Sequence, residues 1–131
     1  DIFAHVAGRL ARGDEPLSLG YEAKSYARLS LPKPRRMPGG FEAMVMHVDR
    51  FGNVITNLRP GDLEAGYGEV FRVRTPTGDV RCAFVKAYGH VPPGSPLLTV
   101  GGTGYIELSV NRGSAAESYG LKPGDRIMVL R

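Results

Sequence analysis

The chain has 131 residues, of which 42% are hydrophobic and 23% are charged, and its formal net charge is +4. That length suffices for one domain with attached segments, and no apolar run approaches the roughly 18 residues of a membrane-spanning helix. The single cysteine, Cys82, excludes an internal disulfide and fits a reducing compartment, so we expect a cytoplasmic protein without membrane attachment. Because Cys82 lies in the apolar run CAFV, a buried structural thiol is favoured over a nucleophile.

The first segment of the chain predicts a helix over residues 2–11, where apolar side chains recur at helical spacing. Asp1 stands at the position of an N-cap and Gly13 at that of a C-terminal cap. A single ten-residue helix is marginally stable in water, so it is expected to pack on something. His5 has no second ligand at metal-binding spacing and is interpreted as a surface or interface histidine. Since the chain begins with Asp rather than Met and shows no signal peptide, we expect it to be part of a longer protein.

Residues 14–40 are rich in proline and glycine, which is the composition of a linker between domains, with a boundary near Gly40. The densest basic cluster, KPRR at residues 33–36, lies within this segment. Such a cluster can contact phosphate, but in a proline-rich linker it is more often simply solvated.

From Phe41 onward the sequence predicts short strands and turns with almost no helix. The predicted elements are a strand over FEAMVMHVD, a helical turn from Pro60, a hairpin turning at TPTGD, a second hairpin about residues 101–104, a short helix capped by Ser114 and closed by Gly120, and a last strand. Closely spaced short strands of this kind are typical of a compact antiparallel β-barrel or sandwich.

The most unusual stretch is VDRFGNVITNL, residues 48–58, which departs from the alternation of a half-buried strand. It places Asp49, Phe51 and Asn53 around Gly52, so that a bend would bring a carboxylate, an aromatic ring and an amide to one spot. This set suits a ligand with a cationic amine, a planar ring and hydroxyl groups. The alternative is a β-bulge followed by a turn, in which Asp and Asn cap the backbone.

Two further stretches are weaker candidates for a binding site. The turn GGTG at residues 101–104 exposes backbone N–H groups and the Thr103 hydroxyl, although any tight hairpin needs glycine. The corner VNRGSAA at residues 110–116 joins a strand to a helix and is equally compatible with an ordinary connection. Tyr88 could form an aromatic wall or pack in the core. None of the common nucleophile, P-loop or metal-binding motifs is present.

Taken together, VDRFGNVITNL, KAYGHV followed by GSPLL, and GTGYIELSVNRGSAA resemble the S-adenosyl-L-methionine hydroxide adenosyltransferases, the relatives of fluorinase and chlorinase. The order and spacing of the three motifs match over roughly the last 90 residues. The opening DIFAHVA is similar to the DIFAP segment near the end of the family's N-terminal domain, with His5 in place of the proline.

The resemblance implies a larger α/β N-terminal domain, missing here, and a smaller C-terminal β-barrel. On this basis residues 1–13 are the terminal helix of the missing domain, residues 14–40 a linker and residues 41–131 the barrel. Family members are trimers that bind S-adenosylmethionine between the N-terminal domain of one subunit and the C-terminal domain of its neighbour. Hydroxide displaces methionine at the ribose C5′ carbon, giving adenosine without a cofactor. The Asp, Arg and His that activate the water lie on the N-terminal domain, so this chain alone is expected to be inactive.

The resemblance also assigns site residues. Asp49 matches the carboxylate that holds the methionine ammonium, Phe51 and Asn53 lie around the nucleoside, and Tyr88 lies against the adenine. Gly102 and Thr103 match the pair that holds the methionine carboxylate, which is Ser-Arg in fluorinase, so the hydroxide enzymes fit better than the halogenases. The adenine edge is read by the strand end Val110, Asn111 and Arg112.

A different class of function remains open on composition alone. A small basic barrel can also bind nucleic acid or mediate oligomerisation. A nucleic-acid surface should carry exposed aromatic and basic residues interleaved on one sheet face, and too few such positions occur in the sequence.

Overall fold

The computed structural model describes all 131 residues and divides them into two compact units, Asp1–Ser30 and Leu31–Arg131. In the first unit, helix α1 spans Ile2–Ala11, and the Asp1 carboxylate accepts the N–H of Ala4 at 2.9 Å. The predicted helix and its N-cap are therefore confirmed. Phe3 on this helix is 85% exposed and none of the helical side chains is buried, so the expectation that the helix packs on something stays a prediction. One turn of 3₁₀ helix follows at Pro16–Ser18.

The second unit is a closed β-barrel. Its strands are β1 (Arg35–Met37), β2 (Gly40–Val48), β3 (Val54–Thr56), β4 (Val70–Thr75), β5 (Gly78–Phe84), β6 (Pro96–Val100), β7 (Ile106–Val110) and β8 (Arg126–Leu130). Seven of them close in the order β2-β3-β7-β6-β5-β4-β8, because β8 pairs back onto β2, and β1 adds to the first residues of β2. Two short helices, α2 (Pro60–Leu63) and α3 (Ala115–Tyr119), connect strands. The predicted β-barrel and both of its hairpins are confirmed.

One strand pair departs from the predicted antiparallel barrel, since β5 and β6 run parallel. The reason is the connection between them, which crosses over through residues 85–95 instead of turning back directly. It contains one 3₁₀ turn at Tyr88–His90. The prediction of a wholly antiparallel barrel is therefore wrong for this pair, and the crossover proves to be one wall of the site described below.

The barrel interior is filled by the apolar half of each alternating strand. On β4, Phe71 and Val73 are buried whereas Arg72 and Arg74 face solvent. Cys82 is fully buried, and burial raises the pKa of its thiol to about 12, so the group stays protonated and unreactive at neutral pH. The helices are too short and too polar for any of them to cross a membrane.

Strand β1 lies in the range that the sequence assigned to a linker. Its Arg35 donates to the Glu42 carboxylate at 2.8 Å, and Arg36 stands opposite Phe41 in the register. The side-chain amide of Asn57 donates to the carbonyl oxygen of Pro32 at 2.9 Å. The basic cluster is thus partly committed to strand pairing, which its composition did not indicate. The assignment of residues 14–40 to a linker and of residues 1–13 to the end of an N-terminal domain stays a prediction.

Candidate functional site

A cleft of about 800 Å³ opens beside strands β6 and β7. Ile106 and Leu108 of β7 point into the core, so Glu107 between them points to the other face of the barrel wall. Four segments surround this face: the loop after β2, the crossover, the β6–β7 turn and the corner after β7. The cleft is lined by Asp49, Phe51, Asn53, Lys86, Ala87, Tyr88, Thr99, Val100, Gly101, Gly102, Glu107, Val110, Arg112 and Gly113.

The loop from Asp49 to Asn53 is held together by the Asp49 carboxylate. One oxygen accepts the N–H groups of Phe51 at 2.8 Å and Asn53 at 2.9 Å, and the other accepts the Asn53 side-chain amide at 2.9 Å. Burial works to raise the pKa of Asp49, but the hydrogen bonds from Asn53 and Phe51 outweigh it and hold the pKa below its usual range. The backbone-capping role that the sequence left open is therefore present, on a carboxylate that also lines the cleft.

Gly52 fixes the position of this loop against helix α3. Its φ is +81°, and a Cβ added there would lie 2.1 Å from the Ser114 hydroxyl oxygen. Its carbonyl oxygen accepts the N–H of Ala116 at 3.0 Å, in the first turn of the helix. Ser114 itself caps that turn by accepting the N–H of Glu117 at 3.1 Å. Both the backbone angle and the close approach require glycine.

Two aromatic side chains line the cleft from different walls. Phe51 is 64% exposed, and the Arg50 guanidinium carbon lies 4.7 Å from the centre of its ring. Tyr88 lies on the crossover and is 39% exposed. Exposed rings of this kind offer stacking surfaces for a planar ligand.

Glu107 is the principal residue of the cleft that the sequence analysis missed. Its side chain is only 7% exposed, and one carboxylate oxygen accepts the Tyr88 hydroxyl at 3.1 Å. Burial raises the pKa of Glu107, the negative charge of Asp49 raises it further, and the Tyr88 hydrogen bond offsets only part of this effect. A signal was available, because IELSV puts a charged residue in a strand whose neighbours are apolar.

Gly101 makes room for the Glu107 carboxylate. A Cβ at Gly101 would lie 1.7 Å from the nearer carboxylate oxygen, so any larger residue would displace the acid. The cleft is also lined by five residues to which the sequence analysis assigned no individual role, namely Lys86, Ala87, Thr99, Val100 and Gly113.

The corner after β7 contributes Val110 and Arg112 but leaves Asn111 outside the lining. Arg112 has a φ of +57°, an uncommon backbone conformation for a residue with a side chain. The Asn111 amide instead donates to the Val91 carbonyl oxygen at 2.7 Å, and its N–H donates to the Ser95 carbonyl oxygen at 3.0 Å. Asn111 therefore ties down the end of the crossover that carries Tyr88.

Thr103 lies in a second groove of about 460 Å³ that adjoins the cleft. The two depressions share Asp49, Gly102 and Glu107. The other residues of the groove are Met46, His47, Ile55 and Tyr105. No group of three or more His, Cys, Asp or Glu side chains is arranged to hold a metal ion.

Comparisons with known proteins place this chain in a family. The family described as SAM hydroxide adenosyltransferase C-terminal domain matches residues 43–128. Two proteins named (R)-S-adenosyl-L-methionine hydrolase, from Thermus thermophilus and Salinispora tropica, are each 40% identical over 99% and 98% of this chain. The matched region covers 47% and 48% of those relatives, so the chain spans about half their length. A protein named fluorinase, from an Actinoplanes species, is 31% identical over 79% of the chain.

Solved structures agree with this relationship. An uncharacterized conserved protein from Thermotoga maritima matches the whole of this chain with a TM-score of 0.82 and 34% identity, and the match covers 51% of that protein. A conserved hypothetical protein from Thermus thermophilus matches 98% of this chain with a TM-score of 0.67 and 38% identity, and the match covers 50% of that protein. The chain therefore belongs to the SAM hydroxide adenosyltransferase family, whose C-terminal domain it contains.

Proposed function

We propose that this chain is the C-terminal part of an S-adenosyl-L-methionine hydrolase that forms adenosine and L-methionine. The proposal is supported by the two relatives of that name, which are 40% identical over nearly the whole chain. In this proposal the chain supplies substrate-binding residues, and the groups that activate water belong to the α/β domain implied by the resemblance. S-adenosylmethionine is the substrate, and no separate cofactor takes part.

The observation that carries the proposal is the composition of the cleft. The resemblance assigns nine residues to the substrate-binding site, and seven of them line one depression. They are Asp49, Phe51, Asn53, Tyr88, Gly102, Val110 and Arg112. Thr103 lies in the adjoining groove, and Asn111 supports the crossover from outside. An open depression of about 800 Å³ falls within the size range of small-ligand sites.

The chemistry of the cleft divides between two parts of the substrate. Phe51 and Tyr88 offer ring faces to the adenine, and the corner at Val110 and Arg112 offers backbone groups to its edge. Asp49 and the turn at Gly102 are assigned to the methionine arm. A carboxylate has about four lone-pair sites, of which Asp49 uses three within its own loop, so about one remains for an ammonium.

The contribution of this chain to the rate is positioning. A sulfonium is an activated electrophile with a neutral leaving group, so aligning nucleophile, carbon and sulfur is the main requirement. Such alignment contributes on the order of 7–11 kcal/mol in favourable intramolecular reactions. We propose that the cleft is completed by the α/β domain of a neighbouring subunit in a homotrimer, and that the assembly acts in the cytoplasm.

The test is a titration of the purified chain with S-adenosylmethionine, adenosine and a short single-stranded oligonucleotide, followed by calorimetry. We expect saturable binding of the first two ligands at one site, and no release of adenosine by the chain alone. Tighter binding of the oligonucleotide than of either nucleoside would support the nucleic-acid alternative and contradict the proposal.

A further inference from the structure

We propose that Glu107, held by Tyr88, is a positioning residue that binds the positively charged arm of the ligand where the cleft meets the second groove. This inference rests on the proposed function and deepens it, because the resemblance assigns the ammonium to Asp49 alone. It concerns the specificity of binding and involves no proton transfer.

The location of Glu107 supports this role. Only Asp49, Gly102 and Glu107 line both the cleft and the second groove. A ligand whose nucleoside fills the cleft and whose side arm enters the groove must pass between them. In S-adenosylmethionine the sulfonium is bonded directly to the ribose C5′ and the ammonium follows two methylene groups further on, so the arm that carries both charges crosses this junction.

Acceptor capacity favours Glu107 over Asp49. The Asp49 oxygens already accept three hydrogen bonds from their own loop. Glu107 accepts one, from the Tyr88 hydroxyl, which leaves about three of its four lone-pair sites free for a donor. The other oxygen packs against the backbone of Gly101 and accepts no hydrogen bond from the chain.

The electrostatics of the junction point to a cationic ligand. Glu107 is nearly buried, yet no lysine or arginine contributes to its ionisation, and its one hydrogen-bond partner is a neutral hydroxyl. Lys86 also lines the cleft, but its ammonium stands 5.5 Å from the centre of the Tyr67 ring. A buried carboxylate without a cation is unfavourable, and a bound cation offsets that cost.

An unpartnered polar group lies on the same strand face. Ser109 stands two residues beyond Glu107, so both side chains project from the same side of β7. Its hydroxyl is fully buried and is the one buried side-chain polar atom without a hydrogen-bond partner. Burial raises the pKa of Tyr88 and the proximity of Ser109 offsets part of that rise, so the Ser109 hydroxyl lies beside the phenol that holds Glu107. Buried polar atoms are normally bonded, and Ser109 lines neither the cleft nor the second groove, so its role is to support Tyr88.

The first test compares charged and neutral ligands on one variant. Glu107→Gln keeps the shape and removes the charge, and we expect it to weaken S-adenosylmethionine about 10- to 100-fold. Adenosine, which carries no positive charge, should change less than about twofold. Glu117→Gln, on the exposed side of α3, is the matched control and should change neither dissociation constant.

The outcomes separate the two proposals. If the full-length protein, in which the α/β domain completes the cleft, binds neither ligand, the proposed function fails, and with it this inference. If the wild type binds both and Glu107→Gln binds S-adenosylmethionine as tightly, the inference is overturned and the proposed function stands. Equal losses for both ligands would make Glu107 a structural residue and would also overturn the inference.

A second variant remains informative if Glu107→Gln fails to fold. Tyr88→Phe keeps the ring but removes the hydrogen bond that lowers the pKa of Glu107, so that pKa rises. The pH below which S-adenosylmethionine affinity falls should therefore move upward relative to wild type, while adenosine affinity, whatever its absolute value in this variant, should not depend on pH. The other ionisable or charged groups at the junction are His47, Asp49, Lys86 and Arg112, and all are unchanged in this variant. An unshifted pH profile would contradict the role of Glu107.

Discussion

The two main hairpins of the barrel each carry a carboxylate on their outward face, but in opposite electrostatic settings. On the β4–β5 hairpin, Asp79 lies between Arg74 at 2.9 Å and Arg72 at 3.7 Å. The hydrogen bond and charge of Arg74 hold the pKa of Asp79 below its usual range. On the β6–β7 hairpin, Glu107 is nearly buried, has a neutral partner and has a raised pKa.

The difference lies in what covers each hairpin. The outer face of β4–β5 is open to water, so its acid is solvated and paired. The outer face of β6–β7 lies under the crossover from β5 to β6, which brings Tyr88 over Glu107 and excludes water from the acid. The one parallel strand pair of the barrel therefore contributes to the electrostatics of the site, because parallel strands need a crossover connection and this one carries Tyr88 to Glu107.

The largest expected effect comes from substituting the glycines of the two turns. Gly101→Ala would place a methyl group on the Glu107 carboxylate, so we expect at least a tenfold loss of S-adenosylmethionine affinity with adenosine less affected. Gly78→Ala meets no neighbour but has a φ of +131°, so it should lower stability by about 1–3 kcal/mol and leave both affinities unchanged. Calorimetric titration and thermal unfolding of the two variants check this. Loss of affinity in Gly78→Ala would show that the hairpins are not independent.

Much of this comparison could be predicted from the sequence, and the missing part has a physical cause. Alternation and turn residues predicted both hairpins, the α3 cap at Ser114 and the bend at Gly52. These signals are local, because they depend on residues within a few positions of each other. Glu107 owes its role to Gly101 at the turn of its own hairpin, and also to Tyr88 on the crossover and Asp49 on the loop after β2. A single sequence does not show which distant segment covers a strand face.

The resemblance went further than local patterns, because it named most of the residues that the structure brings together in the cleft. It also assigned Asn111 to the adenine edge, and this stays a prediction, since the side-chain amide of Asn111 is bonded to the crossover. Strand β1 was hidden by its two arginines and by the flanking Pro34 and Pro38, since it forms through pairing with Glu42 and its neighbours rather than through propensity.

The next effect separates the two carboxylates of the junction. Asp49→Asn loses the charge-assisted bond from the Asn53 amide and weakens the other two, so we expect unfolding free energy to fall by about 1–2 kcal/mol. It should also weaken S-adenosylmethionine more than adenosine. Glu107→Gln, by contrast, should leave stability unchanged or higher, since it removes a buried charge. One melting temperature and two dissociation constants for each variant provide the measurement. Equal loss of both ligands in Asp49→Asn would assign Asp49 to loop structure alone.

The pH dependence of stability should show a smaller effect, and its direction is opposite for the two carboxylates. Because the pKa of Glu107 is raised on folding, its contribution is fully present below the unfolded pKa and is lost as pH rises through the folded pKa. Because the pKa of Asp79 is lowered, its contribution is present above the unfolded pKa and is lost as pH falls through the folded pKa. Melting temperatures should be measured from about pH 3 to pH 8 for both variants. In Glu107→Gln we expect the decrease in melting temperature above the glutamate pKa range to disappear. In Asp79→Asn we expect part of the decrease at acid pH to disappear. The same pH profile of melting temperature in both variants would contradict the opposite electrostatic settings of Glu107 and Asp79.

The smallest effect is expected from Arg74→Ala. The Arg74–Asp79 pair is exposed, and salt and side-chain entropy offset most of the attraction in such pairs. We expect a melting temperature at physiological salt that is unchanged within error and a small decrease only at low ionic strength. S-adenosylmethionine affinity should not change at either salt concentration, because water screens this hairpin from the cleft. If Arg74→Ala tightened S-adenosylmethionine binding as strongly as Glu107→Gln weakens it, the cleft would be responding to the net charge of the whole barrel. No single carboxylate would then determine selectivity for the cationic ligand, and the different settings of Asp79 and Glu107 would not explain that selectivity.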